Sequence, residues 1–437
     1  MKRLLLLSLL LAATAAGAAE SELHAAIARD YQAKLAPLFE HLHRHPELSF
    51  LEVNTARRMA QELRAAGFEV TEGVGGTGVV ALLKNGTGPL VMLRADMDGL
   101  PVEEKSGLPY ASTVVQKDTA GRLSPVAHAC GHDVHMTSLV GTAHQMAARR
   151  GQWSGTLMLI AQPAEERTGG ALAMRKDQIW SRFGQPDYAL ALHVSSEAEE
   201  GKIDVSEAPY SGVDTLEITI HGVGTHGASP HLGKDPIVLG AQIVLALQTI
   251  ITRDLAPREP GLITVGSFHG GSKSNIIGDK AVLELTVRTE SPEARELVLK
   301  AITRVTLNTA RAAGVAETML PEIKATDAPA PPIVNDVALS NRLKKVWAAQ
   351  LGPGIFSTRY KRGGMGAEDY PALVNAPTIP SVYFRIGGTA EAAFAAADKG
   401  GPAIAANHSP LFRIEPDLTI RTGVETSVLA LLDLLKK

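Results

Sequence analysis

The sequence predicts an α/β fold: a large, discontinuous domain built on a covered sheet, interrupted by a smaller α+β domain. Two observations carry this. Between about residues 68 and 193, short β-type runs alternate with helical patterns, the rhythm of a sheet with helices on both faces. Near Ser211 the order becomes strand, helix, two strands, helix, which is that of an open-faced sandwich. The 437 residues supply enough chain for about two or three domains.

In chain order, Lys2 and Arg3 precede an apolar run beginning at Leu4 and closing in Ala16-Gly17-Ala18-Ala19. A short basic start, an apolar stretch and small residues describe a signal peptide over residues 1–19. The run is shorter than the roughly 20 apolar residues that cross a bilayer, and no later stretch reads as a span. The mature chain is therefore expected to be exported, to a periplasm, and free of the membrane. From Ser21 to Arg44 apolar residues recur at helical spacing, with Pro37 as a kink. A second helix is expected over Asn54–Ala66, with Asn54 as its cap. Strands follow at Phe68–Thr71, Gly78–Leu83 and Leu90–Arg94. Helix His135–Arg149, strand Thr156–Ala161, helix Gly170–Ile179 and strand Tyr188–His193 continue the alternation. The smaller domain reads as strand Thr215–Ile220, helix Pro236–Arg253, strands Leu262–Phe268 and Ala281–Thr289, and a long helix. Ser291 before Pro292 marks the start of that last helix. The Ala/Pro-rich segment Ala325–Pro332 returns the chain to the first domain, completed by helix Ala338–Leu351, strand Ser381–Ile386 and a helix from Thr422.

Composition excludes some function classes. A net charge of -3 offers no basic excess for nucleic acid, and no long single-sign run marks a disordered tail. The single cysteine, Cys130, cannot form an intramolecular disulfide in an oxidising compartment, so it needs another reason to be there.

Three expected strands end in side chains that can bind cations. Leu90–Arg94 runs into Asp96 and Asp98, Thr156–Ala161 into Glu165 and Glu166, and Tyr188–Leu192 into His193. Open α/β sheets build their sites outside the carboxyl ends of strands. Between them, His128-Ala129-Cys130-Gly131-His132-Asp133-Val134-His135 concentrates a thiol, imidazoles and an aspartate. A thiolate and an imidazole two residues apart on a Gly-containing turn can meet on one borderline cation such as zinc. On extended backbone Glu165 and Glu166 point in opposite directions. One can then ligate while the other serves as general base toward a water.

The residues alone leave alternatives open: two solvated glutamates, a Cys130 nucleophile with His132 or His193 as base, or an exported metal- or ligand-binding protein without turnover. The second carboxylate speaks against the last, because binding a metal does not require it. His24, His41, His43, His45 and His144 read as surface, packing or capping groups, and His135 as a helix-face residue. His128 has no assigned role.

Six segments, in this order, carry a family resemblance: His43-Arg44-His45-Pro46-Glu47-Leu48-Ser49, Arg94-Ala95-Asp96-Met97-Asp98, His128-Ala129-Cys130-Gly131-His132-Asp133, Gln162-Pro163-Ala164-Glu165-Glu166, Gly366-Ala367-Glu368-Asp369-Tyr370 and His408-Ser409-Pro410. The chain resembles the amidohydrolase branch of the aminoacylase/carboxypeptidase superfamily of dinuclear metallohydrolases, which includes hippurate and indoleacetyl-amino-acid hydrolases. The resemblance implies a zinc-peptidase-like catalytic domain over residues 20–211 and 325–437, with a lid and dimerisation domain over 212–324. It implies two divalent metal ions per subunit, zinc first, with manganese or cobalt as alternatives. Cys130, His132, Glu166, His193 and His408 match the metal ligands, Glu165 the catalytic base, and Asp98 an aspartate that orients a ligand. Asp96 stands where sister branches place a ligand histidine and is left out of the metal shell. His226 matches a carbonyl-polarising histidine, while Asn275, Arg288 and Gly366 match substrate-holding positions. The implied substrate is an N-acyl amino acid or a small dipeptide, and the implied partner is a second copy bound through the lid. Gly278, Arg167-Thr168 and Ser195-Ser196 depart from the family pattern, which weakens any transfer of substrate preference.

Overall fold

In the computed structural model residues 22–437 are described; the expected signal peptide lies outside them. The chain is a mixed α/β protein that divides into two compact units.

The first unit runs to Pro209 and takes in Asn335–Arg362 and Ala372–Lys437. Its seven-stranded sheet has the order Glu69–Val74, Gly78–Asn85, Gly155–Gln162, Leu90–Asp96, Tyr188–Glu199, Ser381–Thr389, Ile203–Asp204. The four inner strands from Gly155–Gln162 to Ser381–Thr389 run parallel, and antiparallel pairs close both edges. Parallel strands are covered on both faces, which is why they read as unbroken apolar runs: all nine residues of Ser381–Thr389 are buried. The register sets Asp96 opposite Gln162 and Arg94 opposite Ala191. Asp96 and His193 therefore come level at one end of neighbouring strands.

Several local expectations shift. The strand from Tyr188 continues to Glu199, because Val194 and Ser195 pair with Ile386 and Gly387. His193 thus lies within the strand. Helix His132–Ala148 begins three residues earlier than its apolar pattern indicates, directly after Gly131. Gly131 has φ 84°, and a Cβ there would lie 2.2 Å from Val194 Cγ1. Glycine alone suits that turn. The first helix, 22–44, widens at Tyr31–Leu35 to accommodate Pro37, whose ring and missing N–H disrupt regular helix bonding. Helix Val53–Ala65 is capped by Glu47, whose Oε2 accepts from the N–H groups of Asn54 at 2.9 Å and Thr55 at 2.8 Å. Asn54 itself sits inside the first turn.

The second unit comprises Tyr210–Val334 with Gly363–Pro371. Its antiparallel sheet has the order Gly261–Gly270, Lys280–Thr289, Gly212–His221, Glu322–Ala325. Helices Pro236–Thr249 and Pro292–Ala312 share a core with it through Ile218, Ile220, Ile243, Leu283, Val298 and Ile302. Ser291 caps the second helix, its Oγ accepting from Ala294 N at 3.1 Å. The strand Glu322–Ala325 escapes the sequence pattern because it is four residues long with no buried position. The first helix continues through Asp254 and is, by length and composition alone, long and apolar enough to cross a membrane, contrary to expectation. Here Leu239, Ile243, Leu247 and Ile250 are buried in the unit's own core.

In the first unit, helix His132–Ala148 packs closely on Pro416–Leu434. A Cβ at Gly141 would stand 2.6 Å from Val424 Cγ2 and 2.7 Å from Leu35 Cδ1. Gly141→Val is expected to lower stability by about 1–3 kcal/mol through overpacking. A urea denaturation midpoint equal to that of the parent would contradict this contact.

Candidate metal centre

Four loops meet at the end of the parallel sheet in the first unit. Leu90–Asp96 delivers Asp96 and, two residues on, Asp98. The turn at Gly131 opens into the helix carrying His132. Gly155–Gln162 leads to Glu165 and Glu166, and His408 enters from the segment before Pro416–Leu434. His408 is held at φ 70°, with its backbone N–H donating to Ala129 O at 2.7 Å.

Side chains from these loops and from the strand carrying His193 converge there. Cys130 Sγ lies 3.4 Å from His193 Nε2 and 3.3 Å from His408 Nε2. His408 Nε2 lies 3.5 Å from Glu166 Oε1. His132 Nε2 faces Asp96 Oδ2, Glu165 Oε2 and Glu166 Oε1, each at 3.8 Å. Ligand atoms about 2.0–2.3 Å from a zinc ion stand roughly 3–4 Å from one another, so this spacing is that of donors around shared cations. Cys130, His132 and His193 form one such cluster, Cys130, Glu166 and His408 another, and His132, Glu165 and Glu166 a third.

Two unmet polar atoms test the fit. His132 Nε2 and Glu166 Oε1 are buried without a hydrogen-bond partner. Such an orphan costs about 1–3 kcal/mol unless something else satisfies it. The charges agree. Burial, then the negative charges of Glu166 and Glu165, push the Cys130 thiol well up. Burial likewise lifts Glu166 to about 8. Burial alone would lower His132, but Asp96 and Asp98 outweigh it and raise the imidazole to about 10. His193 moves the other way, kept neutral by burial and by His135, which leaves it in the ligating form. A field that favours positive charge, with a thiol, imidazoles and carboxylates as donors, fits divalent metal ions.

One expectation is corrected. Glu165 and Glu166 are not on extended backbone; they form a single tight turn, Glu165–Arg167, after Ala164 at φ 49°. Both carboxylates consequently reach the same imidazole instead of diverging. Asp98 causes this: Oδ1 accepts from Glu165 N at 3.2 Å and Oδ2 from Glu166 N at 3.0 Å. Ser49 Oγ donates to Asp98 Oδ2 at 2.6 Å, and His132 Nδ1 lies 3.3 Å from Oδ1. Asp98 therefore orients both a histidine and the glutamate turn.

Sequence reasoning missed other participants. His135 is fully buried, its Nδ1 2.5 Å from Asp96 Oδ1. Its Nε2 accepts from Val194 N at 2.8 Å, so that lone pair is already engaged by the strand that carries His193. His193 Nδ1 donates to Val194 O at 2.7 Å, presenting Nε2 to Cys130. Asp96 also accepts from Arg94 Nη1 at 2.6 Å, a fully buried ion pair. His43 is no surface group either. It lies 2.6 Å from Asp133 and 3.0 Å from Glu104, and these bonds overcome burial to raise it to about 10. His144 bonds Asp30 at 2.9 Å.

The remaining expected site residues belong to the second unit. His226 pairs with Ile276 in a two-stranded ribbon, and Gly227 N donates to Asn275 O at 2.8 Å, so His226 and Asn275 are neighbours. Arg288 lies on Lys280–Thr289, half-buried, with Nε donating to Thr286 Oγ1 at 3.2 Å. Gly366 O accepts from Ser211 N at 2.8 Å.

Comparisons with known proteins agree with this centre. A family model described as peptidase family M20/M25/M40 matches residues 92–404. Hippurate hydrolase of Campylobacter jejuni is 36% identical over 285 residues, covering 65% of this chain and 71% of that protein. N-acetyl-L-cysteine deacetylase of Bacillus subtilis is 34% identical over 313 residues, 71% of each. Among solved structures, the Bacillus subtilis YXEP protein, a dinuclear metal binding peptidase from the M20 family, matches with a TM-score of 0.73 and 29% identity. That match covers 93% of this chain and 99% of that one. The matched segment spans well over half of the sequence, and the chain belongs to the peptidase family M20/M25/M40.

Proposed function

We propose that this chain is an exported amidohydrolase cutting the amide bond of N-acyl amino acids or small dipeptides. As a member of its family it is a metal-dependent amidohydrolase. The finer reading rests on one observation: Cys130, His132, Glu166, His193 and His408 crowd together with Glu165 beside them and His132 Nε2 unpartnered. We assign those five side chains as ligands of two divalent ions, with zinc suited to the Cys/His/Glu donor set.

A bound divalent cation lowers the pKa of a water toward ~7 and draws electron density from the scissile carbonyl. The chain's own residues do the rest. Glu165 is buried, and its turn is fixed from behind by Asp98. Its carboxylate takes a proton from the attacking water as the new C–O bond forms, then returns it to the nitrogen as the C–N bond breaks. Asp98 holds His132 and the turn in place throughout. A thiol nucleophile would require a lowered pKa, and burial, then the acids around Cys130, push it the other way.

On their motifs, His226 is assigned to steadying the developing oxyanion. Asn275, Arg288 and Gly366 are assigned to holding the substrate, with Arg288 suited to its free carboxylate, and the second unit to pairing with a second copy. Names of relatives, hippurate hydrolase and N-acetyl-L-cysteine deacetylase, support small acyl amino acids as substrates. The basic, apolar and small-residue pattern of residues 1–19 supports export to a periplasm.

Glu165→Gln is expected to lower kcat by about 10²–10⁴-fold on an N-acyl amino acid panel, with bound metal unchanged. Parent-like turnover in this variant would remove Glu165 as the base. Chelation should abolish activity and a divalent metal restore it, while Cys130→Ala should emerge from purification with less metal per chain. Full metal content in Cys130→Ala would remove the thiol from the ligand set.

A further inference from the structure

A carboxylate that no motif placed in the site holds the turn leading into Glu165. Glu52 is fully buried, and among the described residues no cation pairs with it. Its Oε1 accepts from Ala164 N at 2.8 Å and from Phe50 N at 3.0 Å; its Oε2 accepts from Thr77 Oγ1 at 2.6 Å. Ala164 immediately precedes Glu165 and adopts φ 49°, ψ 41°, a left-handed conformation that side-chain-bearing residues disfavour. Three successive backbone N–H groups, those of Ala164, Glu165 and Glu166, thus end on two buried carboxylates, Glu52 and Asp98.

The packing around this turn leaves it little room to relax. A Cβ at Gly170 would fall 1.5 Å from Pro163 O, and one at Gly169 would lie 3.1 Å from the Phe50 ring. Phe50 itself is left-handed at φ 66° and donates to Glu52. The segment Phe50–Glu52 and the loop 163–170 therefore form one interlocked unit. Glu52 sits immediately before helix Val53–Ala65, so its carboxylate is carried by a rigid element.

We infer that Glu52 is a positioning residue: it holds Ala164 in its left-handed conformation and so aims Glu165 into the metal centre. This rests on the assignment of Glu165 as general base. A buried carboxylate without a cation is costly to maintain, and its acceptors here go to the turn's amide, the interlocking segment and one hydroxyl. Losing it releases Ala164 toward ordinary backbone angles and swings the next side chain. Cys130, His132, His193 and His408 lie outside this loop, and Asp98 still accepts from the amides of Glu165 and Glu166, which keeps the ligand Glu166 in place.

The test uses the metal-loaded full-length protein and steady-state kinetics on one N-acyl amino acid substrate. Glu52→Ala is expected to lower kcat by about 10–100-fold, with KM and metal content near parent values. Glu52→Gln keeps an oxygen for the Ala164 N–H and should retain most of kcat. Glycine adopts left-handed angles without support, so Ala164→Gly added to Glu52→Ala should recover part of the lost kcat. A general loss of folding would not show that rescue. If Glu52→Ala does not fold, Glu52→Asp, which keeps the carboxyl group but shortens the reach, reads the same quantity. Parent-like kcat in the folded Glu52 variant, a loss carried by KM, or no recovery with Ala164→Gly would each overturn the proposal. Glu165→Gln run alongside separates the two readings: if it stays active the base assignment fails, whereas if it is inactive while Glu52→Ala is not, only the positioning role fails.

Discussion

Buried charge of one sign has to be balanced, and that requirement shapes the large unit. Asp96, Asp98 and Glu165 are buried and Glu166 half-buried beside a thiol, and at the floor of this cluster Arg94 pairs with Asp96. Without further positive charge such a cluster would protonate or swell. With divalent cations between the donors, the same residues become a satisfied set. Burial first raises the Cys130 thiol and the Glu166 carboxyl, whereas burial lowers the His132 imidazole and the carboxylates of Asp96 and Asp98 raise it above its ordinary value.

The fold meets that requirement by layering supports behind the ligands. Parallel strands bring Asp96 and His193 level, Gly131 allows Cys130 and His132 to flank a left-handed turn, and Asp98 gathers the amides of Glu165 and Glu166. His135 ties Asp96 to the backbone beside His193. The first helices contribute equally: Glu47 caps, Ser49 bonds Asp98 and His43 grips Asp133, all from one short segment. That gives the motif running from His43 to Ser49 a physical purpose, as a brace under the metal loops.

The candidate ligand set came from the resemblance carried by six ordered motifs; the residues alone marked Cys130, His132 and the strand-end acids and histidine as types that can bind a cation. The parallel core was legible because strands buried on both faces carry unbroken apolar runs. What escaped depends on hydrogen bonds that leave no periodic trace. Glu52 and Ala164 are 112 positions apart, and nothing in either neighbourhood announces the bond between them. The same holds for His135, whose two ring nitrogens serve an aspartate and a backbone amide on separate strands. Asn54 looked like a cap by residue type, yet Glu47 reaches the first free amides, those of Asn54 and Thr55, from outside the helix. The extended-backbone argument for Glu165 and Glu166 failed because Asp98 bends the chain there, an effect set by tertiary contact.

X-ray absorption at the metal edge of the metal-loaded protein tests the account most directly, since it reads the donors themselves. The arrangement of Cys130 between His193 and His408 predicts a sulfur scatterer at about 2.3 Å alongside nitrogen and oxygen donors. A shell of nitrogen and oxygen alone would contradict it.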